Sequence, residues 1–315
     1  MCTGIRFTDK AGNMYFGRNL DWCEGYGEKV VITPRGYKYR SAFLGKMTNS
    51  PALIGMGIVA ENTPLYFDCA NEYGLAVAGL NFPGYASYEF DTVEDKTNVA
   101  AYEFPLWVTL NFRTVEDVRR ALENVAIVAK PINEQYPVSE LHWIIGDAEE
   151  SIVVEYTARG MEIFENDVDV LTNQPGYDWH KENLRNYMNL LPLMPKDVKW
   201  KKAKMAPFGS GSLMRGLPGD YYAPSRFIRV AYLNTHYPAQ EDEASNISRL
   251  FHTLTGVAMI DGAAAMADGR FEKTIYTGGY SVATQTYYYN TYEDPAIKSV
   301  AMEDHDLDST EIIVV

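Results

Sequence analysis

Strand-like sequence fills the first third of the chain and closes it, while the middle carries helical and strand signals in separate blocks; this ordering limits the fold more than any other feature. Residues 4–7 and 14–17 flank Asp9, Gly12 and Asn13, whose turn chemistry predicts a hairpin. Residues 52–60, 65–69 and 75–81 read as further strands, the last two joined through Asn71, Glu72, Tyr73 and Gly74. Val115, Val118, Leu122 and Val125 recur at helical spacing, after a more apolar candidate helix over 103–112. Short strands return at 142–145, 151–156, 161–164 and 168–171. Amphipathic helices are expected over 179–191 and 244–257, the second presenting Ile247, Leu250, Phe251 and Leu254 on one face. The Tyr- and Val-rich segment 274–315 reads as β again. A doubly wound parallel fold would alternate strand with helix, so separate blocks favour α+β layers. No repeat and no Pro/Gly/Ser-rich linker divides the chain, and one domain is expected.

Composition narrows the function. With 46% hydrophobic and 22% charged residues, global disorder is excluded. The apolar runs, such as residues 312–315, are far too short to span a bilayer. The start MCTGIRFTDK has no basic segment followed by an apolar one, so a cytoplasmic protein is expected. A net charge of −14 repels nucleic acid and anionic membranes, and neither is an expected partner. Cys2, Cys23 and Cys69 cannot form a disulfide framework, and Cys23 and Cys69 read as buried small hydrophobes.

Several motifs fail. Gly209, Gly211, Gly216 and Gly219 lack the GK[ST] ending of a phosphate loop and read as a mobile loop. Asp304, Asp306 and Asp308 imitate a calcium loop, but Ser309 stands at its glycine position and Val315 at its final glutamate. His142, His180, His236, His252 and His305 show no ligand pairing, so surface or satisfied core positions are expected and no metal is called for.

What remains is Cys2, directly behind the initiator Met. A small residue there permits removal of the Met, which would leave Cys2 with a thiol and an α-amine on one carbon, a nucleophile and a base in one residue. A hairpin turn near Lys10 and Ala11 sets Cys2 opposite Asn19 within about a residue, and brings Arg18 and Asp21 within side-chain reach. A guanidinium there would favour the thiolate, and Asp21 could hold the protonated amine. The same pair could equally form a structural ion pair at a hairpin end.

Met1-Cys2-Thr3-Gly4, Phe16-Gly17-Arg18-Asn19-Leu20-Asp21-Trp22, Asn71-Glu72-Tyr73-Gly74-Leu75, Gly79-Leu80-Asn81-Phe82-Pro83-Gly84, Leu171-Thr172-Asn173-Gln174-Pro175 and Pro224-Ser225-Arg226-Phe227 together resemble the choloylglycine hydrolase family, in particular its bile salt hydrolases of gut actinobacteria. The resemblance implies an N-terminal nucleophile hydrolase, an αββα four-layer sandwich of two antiparallel sheets between helical layers, with residues 2–315 as a single catalytic domain. It implies that Cys2 attacks the amide carbonyl, that Arg18 and Asp21 sit beside its thiol and amine, and that Arg226 supports the site. It further implies that the Asn173 side-chain amide and the Asn81 backbone N–H receive the oxyanion.

The implied reaction is hydrolysis of glycine- or taurine-conjugated bile acids through a thioester, with no cofactor. Leu20, Trp22, Phe67 and Phe82 are candidate substrate-slot residues, although residues beside buried strands are more often core. The conjugates are anionic and so is the protein, so recognition is expected to combine a steroid slot with local cations. Penicillin V acylase is the alternative inside the family; Asn81 followed by Phe82-Pro83-Gly84 favours the bile salt branch. A non-catalytic binding protein whose 23 tyrosines line a ligand surface is the alternative outside it. The resemblance also implies a homo-oligomer, a tetramer being common in the family, and residues 24–28 and 133–137 are candidate gating loops.

Overall fold

The computed structural model describes residues 1–48, 50–134 and 136–315. Two antiparallel sheets stack face to face. In the first, β1 (Cys2–Thr8) lies between Val170–Leu171 and β2 (Met14–Trp22), followed by Phe271–Ser281, Thr286–Thr291 and Lys298–Ala301. The second has 8 strands, running Gly160–Glu165, Ser151–Thr157, Leu141–Gly146, Ala76–Asn81, Thr63–Asn71, Leu53–Ala60, Lys29–Thr33 and Ile313–Val314. Helices α1 (Phe104–Asn111) and α2 (Val115–Leu122) cover the outer face of the second sheet; α4 (Ala223–His236) and α5 (Glu243–Thr255) cover that of the first. The expected αββα order of layers is what the chain adopts.

Strict alternation makes the sandwich. Ala76, Ala78 and Leu80 turn toward the first sheet, whereas Val77 between them turns toward the helices, so this strand is buried on both faces. Ile144 and its neighbours Trp143 and Ile145 divide in the same way. Helix ends follow local chemistry: the Thr114 side chain accepts from Asp117 N–H to start α2, and Asp242 accepts from Ser245 N–H to start α5.

Four readings need correction. Val125 belongs not to α2 but to a short strand, Val125–Val128, parallel to Thr97–Ala100, because Leu122 already completes the buried helical face. The helix expected over 179–191 is shorter: α3 (Tyr177–Asn183) passes into a 3-10 turn, Leu184–Tyr187, and stops there. Helix α4 is absent from the reading altogether, although Pro224 in its first turn and buried Phe227, Ile228, Val230 and Ala231 are helix signals. Cys69 is buried as expected, but Cys23 is partly exposed, lying just past the end of β2.

Helix α5 is locked to the first sheet by Leu250. Its side chain lies over Gly17 and Gly279, where a Cβ on Gly279 would come within 2.6 Å of it. Leu250→Ala should cost about 2–5 kcal/mol of unfolding free energy in urea titrations, the range for emptying a fully buried leucine site. A loss well below that range would mean that the helix does not depend on this contact.

Candidate active site

The β1–β2 hairpin registers Cys2 against Leu20 and Thr3 against Asn19, one residue from the sequence expectation, because the turn centres on Ala11. Arg18 and Asp21 therefore flank Cys2. All three are buried, as are Asn173 and Arg226. Arg18 Nη2 donates to Cys2 Sγ at 2.8 Å, while Nη1 donates to Phe67 O at 3.0 Å and Gly79 O at 2.7 Å. Two irregularities in the strand Thr63–Asn71 of the facing sheet make those carbonyls available. Its pairing passes from Met56↔Asp68 to Gly57↔Tyr66, leaving Phe67 as the extra residue of a bulge. Its pairing with Ala76–Asn81 covers only Ala76 to Ala78, so the edge at Gly79 is open and the guanidinium fills it.

Arg226 enters from the opposite side on the first turns of α4. Nη1 donates to Cys2 O at 2.6 Å and Thr3 Oγ1 at 2.7 Å, and Nη2 to Asn173 Oδ1 at 2.6 Å. Its guanidinium also stands 3.7 Å from Asp21 Oδ2. Burial pulls the Arg226 pKa down, against the opposing pull of Asp21, Cys2 and Glu272. Burial also pulls on Arg18, but there Cys2, Tyr276, Asp68 and Tyr287 outweigh it and the net direction is up. Asp21 Oδ1 accepts from Thr274 Oγ1 at 2.6 Å, whereas Oδ2 is buried with no hydrogen bond.

Asn173 faces Cys2 with both ends of its amide committed. Oδ1 accepts from Cys2 N–H at 2.8 Å, and Nδ2 donates to Asn81 O at 2.6 Å, leaving its second hydrogen. Phe82 N–H donates to Glu140 O, and Asn81 stands opposite Leu141. In an antiparallel ladder the N–H and C=O of Asn81 then both point to the other edge, toward Asn173 and the slot. Asn81 N–H and Asn173 Nδ2 thus converge on one region beside Cys2.

Two histidines, both in the core, the second of the two settings expected for them, hold the backbone that carries Asn173. His142 Nε2 lies 2.9 Å from Thr172 O and its Nδ1 3.1 Å from Glu155; His180 Nε2 lies 2.9 Å from Asn173 O. No motif announces this, since each contact joins residues that share no local pattern. Burial lowers the His180 pKa to about 4, against the Asn173 hydrogen bond, so the ring is neutral at pH 7 with its proton on Nε2.

Cys2 opens onto a cavity of about 310 Å³. Its polar end holds Cys2, Arg18, Asp21 and Asn81, and the rest is mainly apolar: Leu20, Trp22, Ile58, Leu65, Phe67 and Ile132 among others. Leu20, Trp22 and Phe67 thus line the slot as expected. Phe82 does not: it is fully buried and stacks on His142 with ring centroids 4.1 Å apart, because it follows Asn81 and turns to the opposite side. Ile58 and Leu65 were missed, though period-two reading back from Phe67 reaches Leu65. Of the candidate gates, Tyr26 from 24–28 and Tyr136 and Pro137 from 133–137 line the slot, while Gln135 lies outside the described residues. Among the described residues of the lining Arg18 alone is basic and it is already engaged, so the expected local cations are not found there.

Tyr287 is buried with its hydroxyl on Asp68 and Tyr288 bonds Glu243, so these neighbouring tyrosines form no common ligand surface. Residues 2–315 match the model of the linear amide C–N hydrolases, choloylglycine hydrolase family. The chain belongs to that family. It is 57% identical to a bile salt hydrolase/transferase of Bifidobacterium longum subsp. longum, the alignment covering 100% of this chain and 99% of that one. The C2A mutant of the conjugated bile acid hydrolase from Clostridium perfringens superposes with a TM-score of 0.93 at 38% identity, covering 100% and 96% of the two chains. Penicillin V acylase from Agrobacterium tumefaciens shares the fold, with a TM-score of 0.78 at 21% identity over 99% and 90% of the chains. The chain is thus a linear amide C–N hydrolase with an N-terminal nucleophile hydrolase fold. Among the described residues, no helix is long and apolar enough to cross a membrane.

The neutral His180 links the site to stability. Its folded pKa of about 4 lies below the ordinary 6.5, so between those values the unfolded chain binds a proton that the folded chain refuses. Stability contributed by the neutral ring is complete above pH 6.5 and is lost as pH falls toward 4, by at most about 3 kcal/mol. His180→Gln keeps a side-chain N–H for Asn173 and should show a shallower loss between pH 7 and about 4.5 in urea unfolding. Equal losses in the two proteins would contradict the assignment.

Proposed function

We propose that this protein is a bile salt hydrolase in which the Cys2 thiol, freed by removal of Met1, cleaves the amide of glycine- or taurine-conjugated bile acids. Residues 2–315 act as one catalytic domain in the cytoplasm, a setting that fits three unpaired cysteines. The observation that carries the reading is a thiol held 2.8 Å from a buried guanidinium at the polar end of an apolar slot. The relatives named above as acting on bile salts or conjugated bile acids support the substrate class.

The sulfur attacks the amide carbonyl, and the oxygen that becomes negative is received by Asn81 N–H and the free hydrogen of Asn173 Nδ2. Arg226 and Cys2 N–H hold Asn173 Oδ1, so the amide cannot flip its oxygen toward that charge. Removal of Met1 turns the Cys2 nitrogen, 2.8 Å from Asn173 Oδ1, into an amine that takes the thiol proton and returns it to the departing glycine or taurine. Asp21, with Oδ2 unbonded, is the carboxylate available to that ammonium. Water then opens the thioester; an amine in place of water would give acyl transfer, in keeping with the hydrolase/transferase name of the Bifidobacterium relative.

We also propose a homo-oligomer, a tetramer as is common in the family. Its support is an arm in which Met188, Leu193, Met194, Trp200 and Phe208 are all largely exposed, around the small hairpin of Val198–Trp200 and Ala203–Met205. So many large apolar side chains in one segment mark a surface that is covered in solution. Light scattering should give a mass above 35.5 kDa, and the double change Trp200→Ser with Phe208→Ser should reduce it. A monomeric parent would remove the proposal.

The functional test joins mass and turnover. Intact mass should show Met1 absent, conjugated bile salts should release glycine or taurine, and Cys2→Ala should abolish release. Asn173→Ala should reduce kcat by about 100- to 1000-fold, as for loss of one oxyanion donor. Turnover of penicillin V with none of bile salts would move the substrate inside the family, and activity that survives Cys2→Ala would overturn the nucleophile.

A further inference from the structure

Arg18 is fully buried, yet its hydrogen bonds go to a sulfur and to the carbonyl oxygens of Asn19, Phe67 and Gly79, never to a carboxylate. A guanidinium withdrawn from water among neutral acceptors is costly unless a negative charge lies close by. Such a charge is supplied by the facing sheet. Asp68, 2% exposed, is the residue after the bulged Phe67 whose carbonyl Arg18 holds. It points between the sheets and accepts from Tyr276 Oη at 2.5 Å on one oxygen and from Tyr287 Oη at 2.7 Å on the other. Tyr276 also presents its ring to the guanidinium, 5.9 Å from centroid to Cζ.

The surroundings are shaped for this arrangement. Gly278 stands opposite Arg18 in the register of the first sheet, and a Cβ there would lie 2.2 Å from Tyr287 Oη. Only glycine lets the Tyr287 hydroxyl through to Asp68. The lateral neighbours of Asp68 in its own sheet, Met56 and Ala78, carry no charge, and Cys69 turns to the other face, against Thr109. The ionisable groups facing Asp68 are therefore Arg18, Tyr276 and Tyr287, and those facing Cys2 are Arg18, Asp21, Arg226 and, across the slot, Tyr26. Burial raises the Asp68 pKa, and Arg18 and the two tyrosine hydroxyls oppose that rise.

We propose that Asp68, clamped by Tyr276 and Tyr287, is the buried counter-charge of Arg18, a positioning residue that sets how much of the guanidinium's charge is offered to the Cys2 sulfur. It rests on the reading of Cys2 as nucleophile, and it adds a buried group that touches neither substrate nor sulfur. Asp68 and the Cys2 thiolate share one cation. With the Asp68 charge present, part of the field of Arg18 is neutralised; with it removed, the sulfur receives all of it.

The test reads the sulfur directly. Alkylation of Cys2 by iodoacetamide is followed against pH by peptide mass, with Cys23 in the same digest as an internal control. In Asp68→Asn the midpoint for Cys2 should move down by about one pH unit relative to the parent, with Cys23 unmoved. The double change Tyr276→Phe with Tyr287→Phe, which strips both hydroxyls and leaves the carboxylate unsupported, should move it in the same direction. Near-UV circular dichroism checks that each variant is folded; if Asp68→Asn is not, the tyrosine pair decides. A folded variant whose Cys2 midpoint stays at the parent value, or moves up, overturns the proposal. Because alkylation needs no bile salt, this outcome is independent of the substrate reading, whereas failure of the nucleophile reading shows as turnover by Cys2→Ala.

Discussion

Two guanidinium groups sit where water cannot reach them, and the requirement that their donors be met organises everything around Cys2. Arg18 is satisfied by the Cys2 sulfur, by Asn19 O and by carbonyls that a bulge and an unpaired strand edge expose; Arg226 by Tyr221 O and by the backbone and side chains of Cys2, Thr3 and Asn173. Buried cations of this kind tolerate little displacement, because each lost contact leaves a desolvated donor. The same contacts that settle the arginines therefore fix the nucleophile candidate and the amide beside it to within hydrogen-bond tolerance. Stability and site geometry are one problem in this molecule.

The layers supply the rest. Strands buried on both faces keep most of the inter-sheet space from solvent, and Gly79 and Asn81, beyond the last pairing of Thr63–Asn71 with Ala76–Asn81 at Ala78, line the slot. Polar groups gather around Cys2, and apolar ones line most of the rest. A long apolar ligand whose amide reaches the polar end matches such a division.

How much of this was legible depended on how local the signal was. The β1–β2 hairpin was readable because five adjacent residues carry the turn, and its register placed Arg18 and Asp21 beside Cys2 to within one position. Asn173 and Arg226 came only through the family resemblance, since they reach Cys2 across separations of 171 and 224 residues that no periodicity encodes. Helix α4 went unread although its apolar spacing is ordinary. Phe82 was misplaced because sequence proximity to Asn81 says nothing about which side the next residue faces. Asp68, Tyr276 and Tyr287 had no signal at all: their meeting is a property of how two sheets stack.

The placement of β1 and β2 beside Phe271–Ser281 has a consequence for how the chain comes into being. The first residues to be synthesised must wait for almost the last, since Thr274 reaches Asp21 across 253 positions. In the completed fold, the Met1 ammonium is tied to Asp21 O at 2.7 Å and to Glu272 at 3.2 Å. The Glu272 tie cannot exist until that residue has been made, whereas the Asp21 tie needs only the β1–β2 hairpin. For most of translation the first two strands therefore have only each other, and the ion pair that holds Met1 to the strand Phe271–Ser281 forms near the end. Long-range strand pairing, usually counted only as a brake on folding speed, here also decides how late the start of the chain is fixed in place.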